Sequence, residues 1–503
     1  MMTRVMLPLA VAVPLCAAQF GGWFGKDTFA PSNRLSGIGV DREKISDLVL
    51  QRRTQLMIES QTFAIMRDPE ALVGAERITS PKLWKIFESA GRQSGLPPSF
   101  VAAISYLESW GDPRAQSPTG PKGIMQIAGG TARAMGLRIV YATRYKMGTQ
   151  RKLVKPKKGK ARWVTVRKRI PYTVLVRDER MMPERAIPAA AGYLSRLEAQ
   201  YGGRDWAVFA YHCGEGCAAD VRSIVQNSDG LGSGATVAQA FFGSSPSHNR
   251  ELYQSLRYHM ERDYSPTYFF RISRAEQLLN LYRESPQDFK KLYYEYRNQV
   301  DPTLRAPHRL SVWLRPDDLA FRNCEDLKRE QGKKLVSVFE NPKFFGFGVR
   351  KNGPGAIAEE DLSNQSLYLQ ASPSTIGTIL YVAYETRRLF DAMKPKRESW
   401  APLEITALVQ PLDYEERVAR KGAARVGEMP AHCTGQVFDI SLANLPPGQR
   451  EALDFVLDDL GWYGYVGFVK ESTHADVTHV GPAPTAREFF GKIYNEAVSA
   501  KAE

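Results

Sequence analysis

Between Arg138 and Arg177 the chain carries fourteen Lys or Arg residues and not one Asp or Glu. No compact core can take in such a segment, because an unpaired buried charge is far too costly. These residues must therefore lie outside whatever surrounds them. Their pattern also differs from the flanks. Arg162-Trp163-Val164-Thr165-Val166-Arg167 and Tyr172-Thr173-Val174-Leu175-Val176 are rich in β-branched and aromatic residues, and Lys155-Pro156-Lys157-Lys158-Gly159-Lys160 reads as a turn. The spacing predicts a β-hairpin inserted between helical segments. The whole chain has 68 basic and 54 acidic residues, so outside this stretch the charges balance. That excludes a globally basic nucleic-acid binder. It leaves one local patch suited to an anionic wall polymer or a membrane surface.

The rest of the chain divides by pattern. Arg4, an apolar run from Val5 to Leu15 and small residues up to Ala18 form the n-region, h-region and cleavage pattern of a secretory signal over 1–18. That predicts export to the periplasm or cell envelope, and the run is too short to span a bilayer. Residues 19–75 read as a polar, loosely packed N-terminal extension. From Ser80-Pro81 the periodicity is helical. Pro97-Pro98-Ser99 opens a second helix that ends near Trp110, before Gly111-Asp112-Pro113, and further helices follow over 183–201 and from Asp205. Residues 263–374 form a mixed connecting region without a motif. Helix and strand signals alternate after 375. Five cysteines in 503 residues exclude a disulfide scaffold.

One carboxylate stands out. Glu108 closes an otherwise apolar helix containing Val101, Ile104 and Leu107. It is thus partly desolvated and far from the positive end of the helix dipole. Both effects raise a carboxyl pKa and keep a proton available near neutrality.

The residues around it resemble the SLT domain of lytic transglycosylases, which shares its fold with goose-type lysozymes. That family has a Glu-Ser pair closing a helix, a downstream Ser, Gly-Leu-Met-Gln, and later Ala-Tyr-Asn-Ala-Gly-Pro-Gly. This chain has Glu108-Ser109, Ser117, Gly123-Ile124-Met125-Gln126, and Ala210-Tyr211-His212-Cys213-Gly214-Glu215-Gly216. Asp178-Glu179-Arg180 and Pro183 through Leu194 also match. The resemblance implies a mainly α, lysozyme-like catalytic domain over 76–262, interrupted by the basic insertion at 138–177. It further implies cleavage of the MurNAc–GlcNAc β-1,4 bond of peptidoglycan to a 1,6-anhydro end, with no cofactor. Glu108 would be catalytic, and Ser109, Ser117, Gly123, Met125, Gln126, Tyr193 and Tyr211 would bind substrate. Rival readings are a lysozyme-type muramidase and a non-catalytic wall-binding scaffold. His212 and Glu215 stand where the family has Asn and Pro.

A second constellation lies near the C-terminus. His432-Cys433-Thr434-Gly435-Gln436-Val437-Phe438-Asp439 has His-x-x-Gly-x-x-x-Asp spacing, and Glu471, His474 and His479 follow. Two His and an Asp around Zn²⁺, with an open position for water and a Glu as base, make a metal hydrolase. This region resembles the zinc D-Ala-D-Ala carboxypeptidase group of M15-like fold. By that resemblance 375–503 is an α+β zinc-peptidase-like domain with His432, Asp439 and His479 as metal ligands. Glu471 is then the catalytic base, His474 the rival third ligand, and the peptidoglycan stem peptide the partner. Gln410 sits where an Arg is usual. The expected fold class is multidomain: a mainly α catalytic domain with an inserted hairpin, a mixed region, and a C-terminal α+β domain.

Overall fold

The computed structural model describes residues 28–35, 38, 46–157, 159–263, 265–298, 318–339, 341–353, 355–420, 431–470 and 476–502. The signal segment, Glu471 and His474 lie outside the described residues.

The first half is helical. Helix α1 (Asp47–Met66) is capped by Ser46, whose hydroxyl accepts from the Val49 N–H, and α2 (Ala71–Thr79) follows. Helix α3 (Pro81–Ser94) starts on proline and stops at left-handed Gly95. Helix α4 (Pro98–Ser109) ends on Trp110, also left-handed at φ 52°. After the short α5 (Gly129–Ala134), β1 (Ile139–Val154) and β2 (Arg162–Asp178) pair antiparallel from Ile139↔Asp178 to Val154↔Arg162. Then come α6 (Pro183–Tyr201), α7 (Arg204–Cys213), α8 (Glu215–Gln226), α9 (Val237–Gly243), α10 (Arg250–Asp263), α11 (Ser265–Glu284) and α12 (Pro286–Asn298).

Helix α4 is buried on most sides, from Phe100 through Tyr106, because α2, α3 and α11 all pack on it. Its near-continuous apolar sequence therefore belongs to a central helix rather than a surface one. The core around it draws on Ile65, Met66, Ala71 and Ala75 before residue 76, and on Tyr268, Ile272, Leu278, Phe289 and Tyr293 after 262. Both flanks are thus part of the helical core. In particular, 47–79 is two helices rather than a loosely packed extension. The polar appearance of α1 has a physical reason: its buried Arg53 pairs with Asp459 at 3.0 Å, across to the second half of the chain.

That second half centres on a five-stranded sheet. Strands β3 (Phe347–Val349), β4 (Leu403–Ala407), β5 (Phe438–Ser441), β6 (Val466–Lys470) and β7 (Val477–Pro482) lie in the order β3-β4-β5-β7-β6. The β3–β4 pair is parallel and the others are antiparallel. Helices α13 (Pro373–Met393) and α14 (Pro447–Trp462) pack on it, and α15 (Arg487–Ala502) packs on α13. Helices α13 and α15 cross so closely that a Cβ on Gly377 would come within 1.9 Å of the Phe490 carbonyl oxygen. This core also takes in Phe29, Ile38, Phe321, Leu335 and Tyr368, so it too begins before the expected bound at 375. Phe242 of α9, Phe270 of α11 and Trp462 of α14 join the two halves in one apolar cluster. No described helix is long and apolar enough to cross a membrane.

Candidate active site and candidate metal centre

Glu108 is the penultimate residue of α4, half-buried where α7 and α11 close over the helix end. The Tyr268 hydroxyl donates to its Oε1. The Tyr268 ring lies flat on the His212 imidazole, with centroids 4.1 Å apart and planes 8° from parallel. Burial pushes the Glu108 carboxyl above its ordinary range, while the Tyr268 hydrogen bond and His212 oppose the shift without cancelling it. Burial likewise pushes the Tyr211 and Tyr268 hydroxyls well above their ordinary range, so both stay protonated donors. Among the described residues, the groups acting on the Glu108 charge are a phenol and an imidazole, not a second carboxylate.

Next to α4 is the loop between Asp112 and Ala128, closed by backbone hydrogen bonds and braced by side chains that reach its carbonyls. The Gly123 N–H donates to the Ala115 carbonyl at 2.8 Å, and the Ser117 N–H to that of Pro121 at 2.9 Å. Gly123 has φ 79°, and a Cβ there would come within 1.8 Å of the Arg180 carbonyl oxygen, so only glycine fits. Gln126 is left-handed at φ 44°, and its side-chain amide donates back to the carbonyls of Gly123 (2.8 Å) and Ala115 (3.2 Å). The Ser109 hydroxyl donates to the Ile124 carbonyl at 2.8 Å, tying the loop to the helix that carries Glu108. Arg180 holds the loop from the other side. It pairs with both oxygens of Asp178 (2.9 and 2.7 Å) and donates to the carbonyls of Gly120 (3.2 Å) and Ile127 (3.1 Å).

The predicted substrate-binding residues thus divide into two groups. Tyr211 stands beside Glu108 and donates to the Met125 carbonyl at 2.7 Å, with the Tyr193 ring 6.1 Å away. Ser117 presents a half-buried hydroxyl that contacts the Thr119 hydroxyl at 2.8 Å. Ser109, Gly123, Met125 and Gln126 instead build the loop: the Ser109 and Met125 side chains are buried, and that of Gln126 is folded onto backbone. Glu215 accepts from the Tyr193 hydroxyl (2.9 Å) and pairs with Arg196 (2.8 Å), which holds its carboxyl below the ordinary range. Sequence reasoning missed Tyr268, and it quoted Arg180 without assigning it a role.

Residues 85–158 and 161–230 match the family described as the transglycosylase SLT domain. The SLT match covers α4, the loop, the hairpin strands and α7, and it ends before α11, which supplies Tyr268. Membrane-bound lytic murein transglycosylase F of Alcanivorax borkumensis is 30% identical over 152 residues, which is 29% of this chain and 24% of that protein. Membrane-bound lytic murein transglycosylase F 2 of Alkalilimnicola ehrlichii is 40% identical over 57 residues, 11% and 13% of the two chains. Peptidoglycan transglycosylase gp16 of Escherichia phage T7 is 29% identical over 132 residues, 26% and 8%. The chain spans about a quarter or less of the length of these relatives.

The second constellation sits on the C-terminal sheet. Antiparallel pairing of β5 with β7 sets Asp439 directly opposite His479, and His432 comes in from the turn Ala431–Thr434. His479 Nδ1 is 2.7 Å from Asp439 Oδ1, and His432 Nε2 is 3.1 Å from His479 Nδ1 and 3.3 Å from Asp439 Oδ1. Zinc makes bonds of about 2.0 Å to nitrogen and oxygen, so a tetrahedron of its ligands has edges of roughly 3.3 Å. The three donors fit such a face. The Leu408 carbonyl lies 2.6 Å from His432 Nδ1, fixing which nitrogen faces the cluster. Burial disfavours the His432 cation, but Asp439 outweighs it and the imidazole is pushed up to about 9. Burial would raise Asp439, yet the two imidazoles hold it far below the carboxylate range. Gln410 lies beside the site, its backbone N–H donating to the His432 carbonyl at 3.2 Å.

Proposed function

We propose that this chain is a peptidoglycan lytic transglycosylase of the cell envelope, reached by export. The observation that carries the reading is the Glu108 carboxyl: half-buried, raised in proton affinity, and partnered by a phenol rather than by another acid. Hydrolytic glycosidases use two carboxylates, one of them to activate water or attack the sugar. A single carboxyl suffices if the sugar supplies its own nucleophile. Glu108 gives its proton to the bridging O4 as the C1–O4 bond breaks. The C6 hydroxyl then closes on C1, forming the C1–O6 bond, and its proton returns to Glu108. No water is consumed, and the acid ends in its starting state. Tyr268 keeps the carboxyl in one orientation through both transfers. Ser117, Tyr193 and Tyr211 are the side chains best disposed to meet the N-acetyl and hydroxyl groups of the glycan. Ser109, Gly123, Met125 and Gln126 shape the wall of its groove.

Mass spectrometry of sacculi digested with the purified protein tests this. Muropeptides carrying 1,6-anhydroMurNAc are expected. Products with only reducing ends would make the chain a muramidase, and sacculi left intact would make it a scaffold.

A second reading concerns the C-terminal half. We infer that His432, Asp439 and His479 hold a Zn²⁺, because three donors converge and one imidazole is already oriented by Leu408. The ion would supply Lewis-acid chemistry suited to a peptide bond, and the stem peptide is the fitting substrate class. Elemental analysis of the purified chain should find one zinc per molecule, lost in Asp439→Asn. Absence of zinc after incubation with the metal and dialysis would remove this site.

A further inference from the structure

The strands of the β1–β2 hairpin pack chiefly on each other, and neither makes an extensive contact with another element. Sixteen paired residues at about 3.3 Å each give a ribbon of roughly 50 Å. At its base Arg138 and Arg177 both pair with Glu179. Beyond that, among the described residues, no cation between Arg144 and Arg169 makes an ion pair with a carboxylate. The register sorts the side chains onto two unlike faces. On one, Val164, Val166, Ile170 and Val174 are half-buried among Arg144, Lys146, Lys152, Arg162 and Lys168, and Ile170 lies across Gly148. Beyond the register shift between Val140 and Tyr141, the only large apolar side chains left exposed on this face among the described paired residues are Tyr172 (39%) and Val154 (37%). The other carries Tyr141 opposite Leu175, Tyr145 opposite Pro171, Met147 opposite Arg169, and Leu153 opposite Trp163. On this second face Trp163 is 59% exposed, Met147 64% and Tyr145 55%. Arginine sits directly on its aromatic rings, with the Arg169 guanidinium 4.7 Å from Tyr145 and that of Arg151 5.9 Å from Trp163.

We propose that this face is a membrane-docking surface that lies in the headgroup layer of a bilayer containing anionic phospholipid. A soluble polyanion would be met by the cations alone and gives no reason to leave six large apolar side chains uncovered on one face. A bilayer interface takes both: aromatic and aliphatic side chains enter the headgroup–acyl boundary, while guanidinium and ammonium groups meet the phosphates. The ribbon does not cross the membrane, because both of its edges carry unpaired backbone N–H and C=O groups that hydrocarbon cannot satisfy. It lies flat, with the Leu153–Trp163 pair beside the cationic turn of Lys155, Lys157 and Lys160. The domain is thereby held beside the membrane.

Co-sedimentation of the full chain with vesicles tests the proposal. Binding is expected to vesicles of phosphatidylglycerol and phosphatidylethanolamine, to weaken steeply between low and high salt, and to be marginal with pure phosphatidylcholine. Charge reversal at Arg151, Arg167 and Arg169 together should weaken binding on the order of a hundredfold. All three are exposed strand residues. Difference fluorescence between the natural chain and Trp163→Phe should show a blue shift of the Trp163 emission on anionic vesicles. Binding to lipid-free sacculi or a soluble polyanion with none to anionic vesicles would overturn the proposal in favour of a wall polymer. An unshifted Trp163 on vesicles that do bind would overturn the assigned face.

Discussion

Glu108→Gln is expected to abolish release of anhydro-muropeptides from sacculi, with a fall of at least 10³-fold, near the upper end of what one acid–base group contributes. The amide keeps the size of the side chain and can still meet the Tyr268 hydroxyl, but it can neither give a proton to O4 nor accept one from the C6 hydroxyl. Both transfers fail together, so no partial reaction survives. The same substitution has a consequence for stability that packing alone would not produce. Folding raises the proton affinity of Glu108, so the folded chain holds a proton that the unfolded chain has released at pH values between the ordinary carboxyl pKa and the raised one. Stability from this group is full below the ordinary pKa and declines as pH rises through the raised value. The glutamine variant lacks that decline. It should melt higher than the natural chain at pH 7 and level with it near pH 4. A variant with undiminished anhydro product would remove Glu108 from the chemistry. A variant that melts lower at neutral pH would show that the ionised carboxylate is the stabilised form.

How much of this was open to inspection in the sequence follows from distance along the chain. Glu108, Gly123 and Tyr211 sit in short motifs whose local geometry is carried by neighbours: an apolar helix that must end, a glycine that must be left-handed, an aromatic facing back. Tyr268 lies 160 residues from Glu108 in a helix without a motif, and only the packing of α11 on α4 brings it there. Helix α1 misleads for a related reason. Its buried residues include Arg53 and Gln61 as well as Met57 and Ile65, because it serves an interface between two cores and not the face of one. In the C-terminal half, His432 and Asp439 are joined by spacing, but the choice of His479 depends on strand register, which sets it opposite Asp439. The hairpin was legible in outline from its alternation. Which face it leaves uncovered required the register.

Arg180→Met is expected to be the most destructive substitution away from the reacting carboxyl. Arg180 and Asp178 have side chains only 5% and 2% exposed, and burial alone would push Asp178 up. The hydrogen bonds and charge of Arg180 outweigh burial and hold Asp178 below the ordinary carboxylate range. Removing the arginine leaves a buried carboxylate with only the weaker charge of Lys122 acting on it, strips the Gly120 carbonyl of its donor and leaves that of Ile127 with the Lys122 N–H alone, a loss of about 3–5 kcal/mol. Hydrogen exchange of the amides of Ser117, Gly123 and Ile127, which close the loop, reads it directly: all three should lose protection, and glycan cleavage should fall with them. The pH dependence separates charge from packing. In the natural chain the pair stabilises above the ordinary Asp pKa and weakens as pH falls through the lowered one. In the variant the lone carboxylate is relieved by protonation, so the deficit should shrink toward pH 4. Asp178→Asn combined with Arg180→Met should then be less damaging than Arg180→Met alone. Equal damage would mean that the loop is held by the bonds to Gly120 and Ile127, and that the Asp178 charge contributes little.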